Sequence, residues 1–373
     1  MGQRKKYVGM DIMPDGRIRK RFTVDGQRMA AYGKTPQEAE ANATKRRMEI
    51  MAGTYKKNDH ITLGEYFHEW IERKIGTVSE KTIFDYERFF RVHIEPAAIA
   101  RRKVQAIERR EIVELQNKIA KGKTVKTANR VLLIVHAVLK GAVMDEIIVR
   151  NPATGIPRLK DNTRKPARET IHRALTREEI AAFMKEAKNT WYYNAYRLML
   201  ATGVRVGECC ALEWGDVDYK NGVIHIRRTL TQNRKGDLII GKTTKTENSK
   251  RDIPINAEIN HILQEQRQFY NDFHGGKVQG IHARVFEDTK GGVIRSTTLN
   301  NCIRKIARNV NITYFTVHAL RDTFATMAII QGMQPNTLKE IMGHKAIGTT
   351  MDIYAHVLDG EKRKAMDELR IVT

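Results

Sequence analysis

The sequence predicts a mainly helical α+β protein that is divided into several domains. Its 373 residues exceed the length that one hydrophobic core usually serves. Short strand-like runs occupy the amino-terminal 57 residues, and apolar residues at helical spacing follow from Leu63 onward. Strand-like runs return between residues 218 and 255, with helical patterns on both sides. We therefore expect a small β-rich domain, a helical domain and a mixed α/β domain, in that order.

Residues 1–57 are predicted to form a three-stranded sheet followed by one helix. Turn signals at residues 14–16 and 25–26 separate three short strand-like runs. Thr35 then opens a capping box, with proline at the first helical position and glutamate three residues after the cap. The helix is expected to run from Pro36 to Met51.

Residues 58–160 are predicted to be helical, because apolar side chains recur there every three or four residues. The apolar run at residues 131–139 is too short to span a bilayer and is expected to be a buried helix. Residues 161–172 are charged and lack periodicity, which is typical of a flexible linker.

Residues 173–373 are predicted to form the mixed domain. It opens with a capping box at residues 176–179, which indicates a helix start. Strand-like runs at residues 223–226, 238–240 and 252–255 are expected to form one small antiparallel sheet, and helices follow to the carboxyl end.

The composition favours a nucleic-acid partner. Lysine and arginine number 66 against 43 acidic residues, and a formal net charge of +23 suits a polyanion. A membrane surface would favour a basic amphipathic helix or a lipidation signal, and neither stands out. The cysteines, Cys209, Cys210 and Cys302, include no C-x-x-C pair for zinc, and two neighbours in sequence cannot easily close a disulfide. The sequence lacks an apolar signal-peptide core and predicts a cytoplasmic protein with no membrane partner.

An ordered set of side chains in the last domain supplies what metal-free cleavage of DNA requires. A tyrosine hydroxyl can attack a phosphodiester and remain covalently attached to it. Fixed guanidinium and imidazole groups can stabilise the extra negative charge of the transition state, and the departing sugar oxygen needs a proton. The residues of suitable type are, in chain order, Arg205, His318, Arg321, His344 and Tyr354.

Local patterns suggest how some of these side chains are placed. A helix is expected to break at Gly203 and restart, which leaves Arg205 at a helix opening. Another helix is expected to end at Gly343 in the left-handed conformation, just before His344. Glu208 either fixes the Arg205 guanidinium or forms a simple surface ion pair with it. His318 and Arg321 are three residues apart and share one face if the segment is helical.

These segments resemble the tyrosine recombinase, or phage integrase, family. The likeness lies in A-T-G-x-R-x-G-E at residues 201–208, H-x-L-R-x-T-F-A-T at residues 318–326, Gly343-His344, and a tyrosine about ten residues later. The resemblance implies a DNA strand transferase that works through a 3′-phosphotyrosine intermediate and a Holliday junction, with no metal and no cofactor. It assigns the role of nucleophile to Tyr354. The two arginines, Arg205 and Arg321, are implied to clamp the scissile phosphate, and the two histidines, His318 and His344, are implied to assist them.

The resemblance also assigns the general acid. T-K-T-x-x-S-x-R-x-I-P at residues 244–254 matches the family's strand lysine, which gives Lys245, with Lys242 as the weaker candidate. Asp322 stands where a histidine often follows the arginine, and Met342 where leucine usually precedes Gly-His. Neither position does chemistry in the family.

The upstream segments resemble further integrase domains. The resemblance implies an arm-site DNA-binding domain at residues 1–57, a core-binding domain at 58–160, a linker at 161–172 and a catalytic domain at 173–373. It further implies a homotetramer on double-stranded DNA in the bacterial cytosol, nucleoid-associated when bound, with a possible accessory DNA-bending or excision factor. The candidate DNA-contacting residues are Arg17, Arg19, Arg21, Arg28, Lys81, Lys123, Lys126 and Arg130.

Two other functions fit parts of this pattern. A type IB topoisomerase uses the same groups to relax supercoils, although the added amino-terminal module and the integrase-like boxes argue against it. A non-catalytic DNA-binding regulator could keep the fold, but the full set of catalytic residue types argues against that function. Trapping of a covalent DNA adduct separates an enzyme from a regulator, and relaxation without recombination would favour the topoisomerase.

Overall fold

The structure is a computed structural model, and the residues it describes fall into several ranges. These are residues 9–13, 16–24, 27–51, 60–160, 173–242, 250–276 and 280–343, together with residues 348 and 351. The chain divides into two compact units, residues 1–77 with 86–160 and residues 78–85 with 161–373. The predicted linker at residues 161–172 and the predicted boundary at residue 57 lie outside the described residues, so the domain limits stay predictions.

The amino-terminal sheet and helix were predicted correctly. Strands β1 (Met10–Ile12), β2 (Ile18–Val24) and β3 (Gln27–Gly33) form an antiparallel sheet in that order, and α1 (Pro36–Met51) packs on it. The small core between sheet and helix consists of Phe22, Val24, Ala31 and Ala43. Side chains alternate between the two faces of a strand, so Arg19 and Arg21 of β2 lie on the face opposite Phe22.

The following helices are α2 (Leu63–Glu72), α3 (Glu80–Phe89), α4 (Arg109–Gly122) and α5 (Val125–Met144). A capping box between Thr62 and Glu65 begins α2. Phe67 of α2 stacks on Phe90 with ring centroids 3.8 Å apart. The core of these helices is therefore aromatic as well as aliphatic.

Helix α5 is the buried helix that the apolar run predicted. By length and composition alone it is apolar enough to cross a membrane. Eight of its side chains are buried, and it packs against α2 and α4. This is the environment of a core helix in a helical bundle.

In the part of the second unit that the structure describes, helices and two small sheets surround the core. In chain order its elements are α6 (Arg177–Ala187), α7 (Tyr193–Thr202), α8 (Val206–Cys210), β4 (Val217–Asp218), β5 (Val223–Ile226), β6 (Arg228–Gln232), β7 (Leu238–Lys242), β8 (Arg251–Pro254), α9 (Ala257–Phe273), α10 (Ser296–Asn309), α11 (His318–Ile330) and α12 (Pro335–Met342). One apolar cluster runs from Leu175 to Leu320 and joins most of these elements. It supports the polar site described below.

The prediction of one sheet from three strands is wrong in one respect. Strands β4, β5 and β8 form a three-stranded antiparallel sheet, whereas β7 pairs with β6 in a separate hairpin. Strand β6 was not predicted, because its sequence, Arg-Thr-Leu-Thr-Gln, has little apolar alternation. The hairpin closes locally: Asn233 N–H donates to Asp237 O at 2.9 Å, and Gly236 takes the left-handed φ of 89°.

Gly203 allows the chain to break between α7 and α8, as predicted. Its φ is 63°, and a Cβ built on it would lie 2.3 Å from Cδ1 of Phe324 on α11. Glycine is thus required here both for the backbone conformation and for the close approach of α11.

We expect Gly203→Ala to lower the free energy of unfolding by about 2–4 kcal/mol, because left-handed strain adds to a steric clash. The measurement is urea unfolding followed by tryptophan fluorescence. Gly222→Ala is the matched control, since Gly222 has φ of 65° and no neighbour within 4 Å of a built Cβ. The control should lose only about 1–2 kcal/mol. Equal losses would contradict the role assigned to Phe324.

Candidate active site

Arg205 and Glu208 form the first part of the site. Arg205 is the N-cap residue of α8, and its backbone N–H donates to Glu208 Oε2 at 2.9 Å. Its Nη1 donates to Glu208 Oε1 at 2.8 Å. Glu208 is only 3% exposed, so this is not a simple surface ion pair. The carboxylate both closes the helix start and fixes the guanidinium.

Gly207 lies between these two charged residues, at a position where a side chain would clash with β6. A Cβ at this position would lie 2.6 Å from Oγ1 of Thr229 and 3.0 Å from the carbonyl oxygen of Leu230. Helix α8 therefore packs directly against the backbone of β6. The close approach holds Arg205 and Glu208 at a fixed place relative to the hairpin.

Arg251, the first residue of β8, binds the other side of Glu208. Its Nη2 donates to Glu208 Oε2 at 2.7 Å and its Nη1 to Oε1 at 3.2 Å. The sequence analysis matched Arg251 only as a motif position and assigned it no role, although a signal for one exists. Arg251 alternates with Ile253 on the buried face of β8, where a charged side chain needs a partner.

Arg321 lies on α11 and is 3% exposed. Its Nη1 donates to the carbonyl oxygen of Gly203 at 2.5 Å, and its Nη2 donates to that of Met342 at 2.6 Å. The guanidinium thus joins the α7–α8 break to the end of α12. In the same helix, Thr323 accepts a hydrogen bond from the backbone N–H of Leu175, which fixes α11 to the start of the unit.

The three arginines meet again at the carboxyl end of α12. Successive carbonyl oxygens there accept one hydrogen bond each: Ile341 O from Arg251 Nε at 2.5 Å, Met342 O from Arg321 Nη2 at 2.6 Å, and Gly343 O from Arg205 Nη2 at 2.9 Å. The last carbonyls of a helix lack intrahelical partners and carry partial negative charge, so cations stabilise them. The arginine cluster, defined as Arg205, Arg251 and Arg321, therefore fixes the residue immediately before His344.

The arginine cluster carries more positive charge than its buried partner neutralises. Among the described residues, Glu208 is the buried carboxylate that these three guanidinium groups share, and the charge of Asp322 also acts on Arg321. Burial, together with the charges of Arg205 and Arg251, lowers the pKa of Arg321 below its ordinary value. Burial raises the pKa of Glu208, but the hydrogen bond and charge of Arg251 and the charge of Arg205 outweigh it, so this pKa is lowered. The cluster is suited to bind an anion.

His318 opens α11, one helical turn before Asp322. Its side chain is 52% exposed, and its Nε2 lies 3.8 Å from Oδ1 of Asp322. Arg321 is in the same first turn of the helix but is buried. The histidine therefore presents an accessible imidazole at this end of α11.

The other candidate residues of the site lie outside the described residues. Lys245, His344 and Tyr354 fall within the ranges that the structure does not describe. Gly343, directly before His344, ends α12 with φ of 64°, which is the left-handed conformation that the sequence predicted. Lys242 is the last residue of β7.

The candidate DNA-contacting residues of the amino-terminal sheet lie on or beside its strands. Arg19 and Arg21, on β2, both pair with Asp11, at 2.7 and 2.9 Å. The Arg17 guanidinium lies 5.5 Å from the ring centre of Tyr32. Arg28 belongs to β3.

The remaining basic candidates lie on the helices. Lys81 pairs with Asp85 at 2.8 Å, one turn further along α3. Lys123 follows the end of α4, and Lys126 and Arg130 are exposed one turn apart on α5. Whether these side chains contact DNA stays a prediction.

Two family models match the chain. The one described as the phage integrase family matches residues 173–361, and the phage integrase central domain matches residues 63–158. A protein named tyrosine recombinase XerC-like, from Caldanaerobacter subterraneus subsp. tengcongensis, is 28% identical over 360 residues, which are 91% of this chain and 90% of the relative. The ICEBs1 integrase of Bacillus subtilis is 25% identical over 273 residues, 71% of each chain.

Solved structures with a similar fold include two integrases. The Tn1549 transposon integrase, in complex with a circular intermediate DNA, has a TM-score of 0.69 at 25% identity, covering 83% of this chain and 100% of that one. A lambda integrase dimer bound to a core site has a TM-score of 0.60 at 17% identity, covering 100% of this chain and 99% of that one. The second likeness concerns the fold alone.

Proposed function

We propose that Arg205 and Arg321 of the arginine cluster bind the DNA phosphate that Tyr354 attacks. The premise is that this chain belongs to the phage integrase family and is a site-specific tyrosine recombinase. The observation that carries the proposal is that, among the described residues, three guanidinium groups, two of them buried, lie around one buried carboxylate, that of Glu208. A buried cation excess is costly unless an anion compensates it. A DNA phosphate is the anion that the reaction of this family supplies.

Arg205 is the member of the cluster best placed to contact substrate. Its side chain is 38% exposed, whereas that of Arg251 is 6% exposed. Its bonds to Glu208 and to the carbonyl of Gly343 use two of the five N–H donors of a guanidinium. The guanidinium of Arg205 is therefore fixed in place and partly exposed, and its forked N–H groups suit two phosphate oxygens.

The proposed reaction exchanges one phosphoester bond for another. The Tyr354 phenolic oxygen bonds to phosphorus and gives its proton to water, while the bond from phosphorus to the 5′ oxygen of the next nucleotide breaks. That oxygen takes a proton from Lys245, the proposed general acid. A 5′ hydroxyl of the partner strand then attacks the phosphotyrosine and releases the tyrosine. Each exchange conserves a phosphoester, so no external energy source is needed.

The assembly proposed for the reaction is four protomers on two duplexes. A lambda integrase of similar fold was solved as a tetramer bound to a Holliday junction. We propose the same arrangement here, with residues 58–160 and 173–373 around core sites and residues 1–57 on separate arm sites. The protein would act in the bacterial cytosol.

The test uses a duplex that the full chain selects from a randomised pool, carrying a nick beside the cleavage point. We expect the wild type to form a covalent protein–DNA adduct on this suicide substrate. Tyr354→Phe should lower the yield at least about a thousandfold, because no other group replaces the nucleophile. Tyr219→Phe, at an exposed tyrosine of the same unit, is the matched control and should leave the yield unchanged.

Three outcomes would argue against the proposal. Adduct formation that persists in Tyr354→Phe would place the nucleophile elsewhere. Absence of any adduct with tightly bound DNA would favour a non-catalytic regulator. Relaxation of supercoiled plasmid without exchange of strands would favour a topoisomerase.

A further inference from the structure

We infer that Arg251 is a positioning residue of the catalytic site: it joins Glu208 to the end of α12 and thereby fixes the phosphate-binding Arg205. The inference rests on the proposed function and adds a residue to which the family resemblance assigned no role. Arg251 is 6% exposed at its side chain, so it acts through its neighbours.

Arg251 first holds the carboxylate of Glu208 in place. Arg251 reaches both carboxylate oxygens, at 2.7 and 3.2 Å, while Arg205 reaches Oε1 from the other side. A carboxylate fixed by a forked pair of hydrogen bonds has little rotational freedom. Loss of Arg251 would let the carboxylate turn and would free the guanidinium of Arg205.

Arg251 also holds the carboxyl end of α12. Arg251 Nε donates to Ile341 O at 2.5 Å. A Cβ built on Gly343 would lie 3.1 Å from Arg251 Nη1 and 3.2 Å from its Cδ, so the helix end packs closely on this side chain. The same helix end accepts the bond from Arg205. One side chain therefore fixes Arg205 through two independent routes.

The position of Arg251 in the chain anchors it in a sheet. It begins β8, which pairs with β5 at the register Ile226↔Arg251 and is thereby anchored in the three-stranded sheet. Residues 243–249, which include the proposed acid Lys245, end two residues before it. Arg251 is thus close in sequence to Lys245, and it is hydrogen-bonded to Glu208 and to the end of α12.

The experiment compares Arg251→Leu and Arg251→Lys with the wild type on the nicked suicide duplex, measuring both the single-turnover rate of adduct formation and the DNA dissociation constant. We expect Arg251→Leu to lower the rate about a hundredfold, because a small misplacement of catalytic groups costs that much. The dissociation constant should change by less than about threefold, since most affinity comes from other phosphate contacts. Arg251→Lys should form the adduct about tenfold faster than Arg251→Leu, because lysine keeps the positive charge but not the forked pair of donors.

Arg228→Leu is the matched control. Arg228 lies on β6 and also bridges two carboxylates, Glu213 at 2.9 Å and Asp216 at 2.5 Å, but these contacts belong to another ion-pair group. It should lose stability to a similar extent while keeping the rate per folded molecule. Equal rate losses in the two variants would show that Arg251 has only a structural role.

A second measurement does not depend on activity. Amide hydrogen exchange at Ile341, Met342 and Gly343 in the DNA-free protein should accelerate at least about tenfold in Arg251→Leu and stay unchanged in Arg228→Leu. Unchanged exchange together with an unchanged cleavage rate would overturn the inference. If the wild type forms no adduct, the proposed function fails, and the exchange result still decides whether Arg251 fixes the helix end.

Discussion

Replacing Arg321 by lysine should lower the single-turnover rate of strand cleavage about a hundredfold to a thousandfold, the usual cost of losing one fixed donor to a developing anion. Lysine keeps the charge but cannot bond both Gly203 O and Met342 O, which the guanidinium reaches at 2.5 and 2.6 Å. The charge would then no longer be fixed between α8 and α12. Rapid-quench cleavage of the nicked duplex at saturating protein measures this rate.

Arg197→Lys is the control for this change. Arg197 lies on α7 in the same unit, is 17% exposed at its side chain and pairs with Glu265. Its replacement should leave the cleavage rate within about twofold, because a partly exposed pair contributes little. A cleavage rate of Arg321→Lys equal to that of the wild type would contradict the assignment of Arg321 to the phosphate clamp.

Replacing Glu208 by glutamine should have the largest effect on stability. The change leaves three guanidinium groups without their buried carboxylate, and breaking a buried pair typically costs about 3–5 kcal/mol. Urea unfolding at neutral pH measures the loss. Glu265→Gln, at a carboxylate that is 43% exposed, is the control and should lose less than about 1 kcal/mol.

The stability lost in Glu208→Gln should depend on pH, and the loss should become smaller in acid. The folded protein lowers the pKa of Glu208, with burial opposing and Arg251 and Arg205 favouring the ionised form. The stability it contributes is therefore fully present above the ordinary glutamate pKa of about 4.3 and is lost as pH falls through the lower folded value. The difference between wild type and Glu208→Gln should shrink over that acid range. A difference that stayed constant there would contradict the ionic role of Glu208.

Local sequence patterns predicted those parts of the site that depend on neighbouring residues. The break at Gly203, the N-cap position of Arg205 and the left-handed Gly343 all follow from short motifs. The partnership of Arg205 with Glu208 also lies within one helical turn. These features were open to prediction because each is decided by backbone geometry over a few residues.

Contacts between distant segments could not be predicted in the same way. The bond from Arg251 to Glu208 spans 43 positions, and that from Arg205 to Gly343 spans 138. No local spacing encodes them, since they arise from the packing of β8 and α12 around α8. Strand β6 was missed for a related reason: its polar sequence becomes a strand only because β7 pairs with it. Tertiary context decides such elements.

Peptide mapping of the covalent adduct tests the central claim most directly. The adduct formed on the nicked duplex is digested with nuclease and protease, and mass spectrometry locates the residue that carries the nucleotide. We expect a nucleotide on the peptide that contains Tyr354, joined through the phenolic oxygen. A nucleotide on any other residue, or strand exchange without a protein-linked intermediate, would contradict it.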